Sequence, residues 1–374
     1  MRKKLWIIVL AAIAMLAGCQ RRPLEVIYRS TVRVVVQVLW QVNAYPEGLR
    51  PSGVTMYFFR DGEFYTTVTT ANVDSCEVQL PEGHYNMYMI TQSPDEYWKM
   101  EFDHMTSFTD ASTTLRSTTI NWDTRSGDDE VVQNPEILCA GVAKEFDITL
   151  KETEEYQYYY TNLKRLKSAA AAAAAASTKA ETDKDIDYYQ EKVYSYTIRI
   201  PVHPKNIVSQ LWVTIYSDNA DMLRSVRAST SGMARTFELT QNTTGSAEAV
   251  QIISDEWALT MDDETTKVGH IDAMITTFGL PNGEHPSAMR DSTLNVSALL
   301  IDNKTVENYV FNTGDKIQLL PANPGYRGMY RLIFGSVAEP AIHPPRVDPE
   351  GGKKSGMEAT VSDWEDGETV EIPM

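Results

Sequence analysis

Chemistry-bearing side chains are plentiful in this chain, but few are spaced to work together. Six histidines are scattered along it: His84, His104, His203, His270, His285 and His343. None forms the H-x-H or H-x-x-x-H pair that would turn two imidazoles toward one metal ion. There is no G-x-S-x-G elbow, no P-loop and no dinucleotide fingerprint. Asp128-Asp129-Glu130 and Asp262-Asp263-Glu264 are acidic clusters whose carboxylates can hold Ca²⁺. They lack the glycine and the spaced acids of an EF-hand loop, so solvated turns are the reading of choice. Trp98, Trp122 and the run Tyr156–Tyr160 can stack on sugar rings, although aromatics serve equally in the cores and edges of β-sandwiches. These patterns imply no catalytic set, no metal ligands and no cofactor. The expectation is a protein that is not an enzyme.

Cysteine is more informative. Arg2, Lys3 and Lys4 open the chain, an apolar run follows from Leu5 to Leu16, and Leu16-Ala17-Gly18-Cys19 closes it. A basic start, a short apolar stretch and small residues make a secretory signal. The cysteine directly after the small residues resembles a bacterial lipobox. That resemblance implies cleavage before Cys19 and acylation of its thiol. The apolar run is shorter than the ~20 residues of a membrane-spanning helix. Several acyl chains hold better than one, since each buried CH₂ adds about 0.8 kcal/mol. Cys76 and Cys139 remain. Outside the cytoplasm a disulfide between them is permitted; the alternative is two small buried thiols. The sequence leaves both open.

With 374 residues the chain is long enough for about two domains. Its 34 basic residues face 51 acidic ones, a net charge of −17, and loss of the signal makes it more negative still. Such a surface repels nucleic acid and anionic lipid. An apolar content of 43% excludes wholesale disorder.

Any working surface must be built from strands. From Thr31 to Trp40 apolar residues alternate, which predicts a strand with one well-buried face. Val54, Met56 and Phe58 begin another, and Asp61-Gly62 signals a hairpin into Phe64–Thr70. Cys76–Leu80 and Tyr85–Met89 follow, then Ile137–Val142 and Phe146–Leu150. Between Lys151 and Lys192 the pattern fails. The tyrosine run, a basic stretch and eight alanines, Ala169–Ala176, read as a low-complexity, partly helical insertion. Alternation resumes at Tyr194, Tyr196, Ile198 and Ile200, then Leu211–Ile215. Ala228–Ala234 reads as a small-residue loop. Further strands are expected at Ala249–Ile253, Trp257–Met261, Val268–Phe278, Leu294–Ile301, Val306–Phe311, Ile317–Leu320 and Tyr330–Phe334. Short strands without long amphipathic helices between them predict an all-β fold of antiparallel sandwiches. The expected division is 1–18 signal, 19–29 lipidated linker, 30–151 first sandwich, 152–192 insertion and 193–374 second sandwich.

In the order and spacing of its motifs the chain resembles the fimbrillin superfamily of Bacteroidales, nearest to the lipoprotein anchor subunits of fimbriae. The lipobox runs quickly into the strand Thr31–Trp40. Leu80-Pro81-Glu82-Gly83-His84-Tyr85 is similar to a hairpin of transthyretin-like domains. Ser231-Gly232-Met233-Ala234 is similar to a small-residue motif of the anchors, and Asp363-Trp364 with Val370-Glu371-Ile372 to the closing hairpin. The resemblance implies two tandem transthyretin-like domains and assembly of fibres by donor-strand exchange. The partner would be a fimbrial stalk subunit supplying a strand, with the membrane reached through the lipid on Cys19. No alternating segment follows Ile372 to serve as an exported donor, which suits an anchor or cap at the outer membrane. The alternative is a surface lipoprotein that binds a glycan or host protein through aromatic loops. Asp291-Ser292-Thr293 resembles a short O-glycosylation motif, and the acidic run of a surface-export signal is missing after Cys19, where Gln20, Arg21, Arg22 and Pro23 stand.

Overall fold

The computed structural model describes residues 30–40, 50–119, 130–172, 179–245, 249–281, 292–314, 316–321 and 327–350. The first strands are β1 (Thr31–Val38), β2 (Val54–Arg60), β3 (Glu63–Thr70), β4 (Ser75–Pro81) and β5 (Gly83–Thr91). Next come β6 (Met100–Asp103), β7 (Ser112–Leu115), β8 (Val131–Gln133) and β9 (Cys139–Ile148). Two helices follow, α1 (Leu150–Ala172) and α2 (Lys179–Ser195). After them run β10 (Ile198–Val202), β11 (Lys205–Asn206), β12 (Ser209–Ser217), β13 (Leu223–Ala234) and β14 (Thr236–Glu238). Then come β15 (Thr243–Thr244), β16 (Ala249–Ser254), β17 (Ala258–Asp263) and β18 (Val268–Thr277). The last are β19 (Thr293–Leu300), β20 (Val306–Asn312), β21 (Gln318–Leu319) and β22 (Met329–Phe334).

Among the described residues the fold is all-β apart from the helical pair, as the alternation predicts. The strands form five mostly antiparallel sheets, ordered β10-β1-β4, β11-β9-β5-β2-β3, β17-β18-β12-β22-β21, β20-β19-β13-β16-β8 and β15-β14-β7-β6. β1 with β10, β12 with β22 and β16 with β8 pair in parallel. Strands β10 and β11 lie beyond the insertion, yet they pair with β1 and β9 from before it. In the other direction, β8 adds to β16.

The chain separates into two compact units. The smaller comprises Gln79–Glu82, Ile148–Thr197 and the described residues before Val34; the larger comprises Val34–Val78, Gly83–Asp147 and everything from Ile198. The larger unit holds an extended apolar core. Leu211, Val213 and Ile215 alternate inward from β12, and Ile271, Ala273 and Ile275 do so from β18. Val250, Ile252, Leu294, Val296, Leu332 and Phe334 join them.

In the smaller unit a capping box starts α1. The backbone N–H of Thr149 donates to Oε2 of Glu152 at 2.8 Å, and the N–H of Glu152 donates to Oγ1 of Thr149 at 3.3 Å. Tyr159 of α1 stacks on Tyr196 (5.3 Å between centroids) and meets Tyr188 and Tyr189 of α2 edge-on or tilted. Tyr156 is buried and stacks on Tyr160 one turn later. Nε2 of Gln157 donates to the carbonyl of Thr31 at 2.8 Å.

Two local expectations are corrected. Tyr194 lies in α2, so the strand expected there begins only at Ile198. Ala228–Ala234 is no loop but the end of the twelve-residue strand β13, central between β16 and β19. Gly232 takes a left-handed φ of 80°, and the register with β16 shifts between Thr230 and Met233, which marks a bulge. The signal Met1–Gly18, Cys19, the linker 19–29, Trp122, Asp128, Asp129, Ala173–Ala176, His285, Asp291 and the closing segment with Asp363-Trp364 lie outside the described residues.

Candidate functional site

A sheet edge offers unpaired N–H and C=O groups, and stable proteins shield long edges with charge, proline or brevity. Most edges here are shielded in this way. Strands β11, β15 and β21 have two residues each, and β8 has three. Strand β10 carries Pro201, β4 ends in Pro81, and β17 ends in Asp262 and Asp263. β3 is different. It has eight residues, Glu-Phe-Tyr-Thr-Thr-Val-Thr-Thr, with one charge at its first position and no proline. Among the described residues it pairs only with β2.

Its geometry is fixed from the turn outward. Asp61 and Gly62 both take positive φ, 52° and 85°, the pattern of a type I′ hairpin whose twist matches that of the strands. Arg60 faces Glu63 across the turn, and Val54 faces Thr70 at the far end. A bulge sits on β3 itself: Tyr65 is the extra residue between the Phe58–Thr66 and Phe59–Phe64 pairs. At the base, a Cβ on Gly53 would meet the Thr70 carbonyl oxygen at 2.8 Å, so only glycine allows that approach.

Aromatic rings brace both faces of this sheet. On one, Phe64 meets Phe59 edge-on at 5.9 Å, Phe59 lies on Tyr88, and Tyr88 stacks on Tyr57 at 4.8 Å. The Tyr88 hydroxyl donates to the Met105 carbonyl at 2.6 Å, and burial pushes its phenol well above the usual range. On the other face, Tyr65 meets Tyr85 edge-on, and Tyr85 stacks on Phe146 at 5.5 Å. Phe64 and Tyr65 nevertheless remain 40% exposed each. The edge is therefore braced by ring contacts and accessible, which suits addition of an extended strand. A second accessible edge is β20, whose Val306 and Val310 point to solvent.

Several residues singled out by type take other roles. Cys76 and Cys139 are buried, unbridged thiols in β4 and β9. Burial lifts Cys76 to a pKa of about 11 and Cys139 further still. Each of three histidines faces carboxylates: His84 with Asp147 at 2.8 Å, His343 with Asp218 at 2.7 Å, and His270 with Asp262 at 2.7 Å and Asp272 at 3.0 Å. His104 sits in a turn with φ 52°, and His203 is exposed. Asp263 accepts the Thr265 N–H at 2.8 Å, a turn hydrogen bond that helps hold its carboxyl below the usual range. Among the described residues no three His, Cys, Asp or Glu side chains converge as metal ligands. Trp98 is 82% exposed, and its backbone N–H donates to Oε1 of Glu136 at 2.9 Å. Ser292, the middle residue of the O-glycosylation-like motif, is 6% exposed. The open β3 edge itself escaped motif reading, because threonine-rich alternation marks a strand without saying whether it is an edge.

No curated protein matches the chain. Among solved structures it is similar to a candidate adhesin from Bacteroides ovatus, with a TM-score of 0.50 and 14% identity over 89% of this chain and 99% of that one. That likeness is one of fold alone. Looser likenesses, which carry no argument, are to the fimbrial anchor protein Mfa2 from Porphyromonas gingivalis and to candidate polysaccharide-binding proteins from Bacteroides thetaiotaomicron. The first has a TM-score of 0.39 and 12% identity over 76% of this chain and 83% of that one. The second has a TM-score of 0.42 and 10% identity over 83% and 94%. No described helix is long and apolar enough to cross a membrane. The family model described as a domain of unknown function, DUF5119, matches residues 18–254, which include the whole β2–β3 edge, and the chain belongs to that family.

Proposed function

We infer that this protein is a non-enzymatic outer-membrane lipoprotein that anchors or caps a fimbria-like fibre, accepting a strand from a stalk subunit along β3. One observation carries the reading: an eight-residue edge with a single terminal charge is left open and braced by aromatic stacking. Main-chain pairing along such an edge supplies affinity, and alternate side chains supply register. The lipobox at Cys19 supports a lipid-held terminus at the outer membrane. The division into sandwiches at 30–151 and 193–374 belongs to the same proposal.

The test is Thr67→Lys, a charge on an exposed position in the middle of β3. Natural edges exclude neighbours with such lysines. Pull-down of fibre subunits by the tagged chain should be lost while the melting temperature holds. Capture at the wild-type level by a folded Thr67→Lys protein would contradict the assignment to β3.

A further inference from the structure

The outward face of the sheet β17-β18-β12-β22 carries a second surface, unrelated to the β3 edge. The inward residues of β12 and β18 fill the core, so their neighbours in sequence must face solvent. Trp212 faces Met274 across the β12–β18 pair, and both are exposed, at 44% and 45%. Beside them Thr214 faces Asp272. Trp257, just ahead of β17, closes the far side, its indole N–H donating to the Ser254 carbonyl at 3.2 Å. The result is an open trench of about 450 Å³, walled by Trp212, Trp257 and Met274, floored by Ala273 and edged by Glu256 and Asp272.

The Asp272 carboxylate is held in place. Oγ1 of Thr214 donates to its Oδ1 at 2.6 Å, and Nε2 of His270 lies 3.0 Å from its Oδ2. His270 is fixed in turn by Asp262 through Nδ1. This is a polar group set beside exposed indole by a chain of side-chain contacts.

We propose that this trench binds a neutral oligosaccharide. A pyranose presents one face of C–H groups, which stacks on an indole ring, and a rim of hydroxyls, which donate to carboxylates. The lining offers both, and its volume lies in the range of small-ligand sites. An anionic glycan is disfavoured by the two carboxylates and by the chain's net charge of −17. A quaternary ammonium needs rings closed around a point charge. This trench is open, and exposed Arg331 is paired with Trp212 on its other side, adding positive charge there.

The full chain is titrated calorimetrically with tetrasaccharides of glucose, mannose, galactose and N-acetylglucosamine, and with tetramethylammonium. At least one sugar should bind. Trp212→Ala should weaken it roughly tenfold or more, about 1.4 kcal/mol per tenfold. Met274→Arg, which crowds the same wall, should do likewise, and Trp98→Ala should leave binding unchanged. Melting temperatures identify any variant that fails to fold, and the other trench variant then decides. Failure of all four sugars, binding of tetramethylammonium alone, or loss on Trp98→Ala with retention in the trench variants overturns the proposal.

Discussion

The hydroxyls of Thr55 and Thr69 meet at 3.1 Å across the β2–β3 pair. The two residues are register partners, so this contact fixes which face of the edge strand turns inward. A slip of one residue would part them and would turn Phe64 and Tyr65 away from Phe59 and Tyr85. Register is therefore set at three places along β3: the Asp61-Gly62 turn, the two aromatic contacts and the threonine pair.

Gly62→Ala should weaken this hairpin. The position has a φ of 85°, and a Cβ there meets no atom within 4 Å, so any cost comes from backbone conformation alone. Forcing an L-residue into that region costs roughly 1–2 kcal/mol. A thermal melt should show a drop of a few degrees. An unchanged or raised melting temperature would mean that the turn is not the one described.

The two thiols give a simple chemical prediction. With Cys76 and Cys139 buried and their pKa values raised, thiol reagents at neutral pH should label neither in the folded protein. Denaturation without reductant should make both Cys76 and Cys139 titratable. If neither reacts until a reductant is added, a bridge joins them and β4 or β9 is displaced from its described position.

His84 sets a pH dependence. Its hydrogen bond with Asp147 raises its pKa above the usual 6.5. A group whose pKa rises on folding contributes stability below its unfolded pKa and loses it as pH climbs through the folded value. The β5–β9 contact should therefore be firm in mild acid and weaken toward alkaline pH. Asp147→Asn should lower the His84 midpoint in a proton NMR titration. An unmoved midpoint would remove Asp147 as the cause.

How far the sequence showed all this depended on the range of the signal. Strand β1 and the β2–β3 hairpin were legible because alternation and Asp-Gly are local. The strands β6, β7 and β8 were not read. Each has three or four residues; β7 and β8 are held by distant partners, Thr113 opposite Phe237 and Val132 opposite Ile252, and β6 pairs with β7. The start of α1 was written in Thr149 and Glu152 as a capping box, one short turn before the expected insertion. β13 was missed because Ala228, Ser229, Thr230 and Ser231 carry no hydrophobic period, although all four are buried. The trench escaped for a related reason: Trp212 and Trp257 are 45 positions apart in the sequence and share a surface only through the pairing of β12, β18 and β17.

The anchor is tested on living cells with a fatty-acid label. Cys19→Ala should abolish incorporation and either release the protein from membranes or hold it as the uncut precursor. Equal labelling of wild type and variant would remove the lipoprotein reading and leave the strand-addition reading untouched.

The most direct measurement of the central claim is hydrogen exchange along β3. The full chain is compared alone and with a peptide carrying the terminal strand of a co-expressed fibre subunit. Strand addition predicts that amides within Glu63–Thr70 exchange more slowly in the complex, and that Thr67→Lys abolishes both binding and protection. A peptide that binds while β3 exchanges as before, with protection appearing at β20 or elsewhere, would contradict the claim that β3 is the acceptor edge.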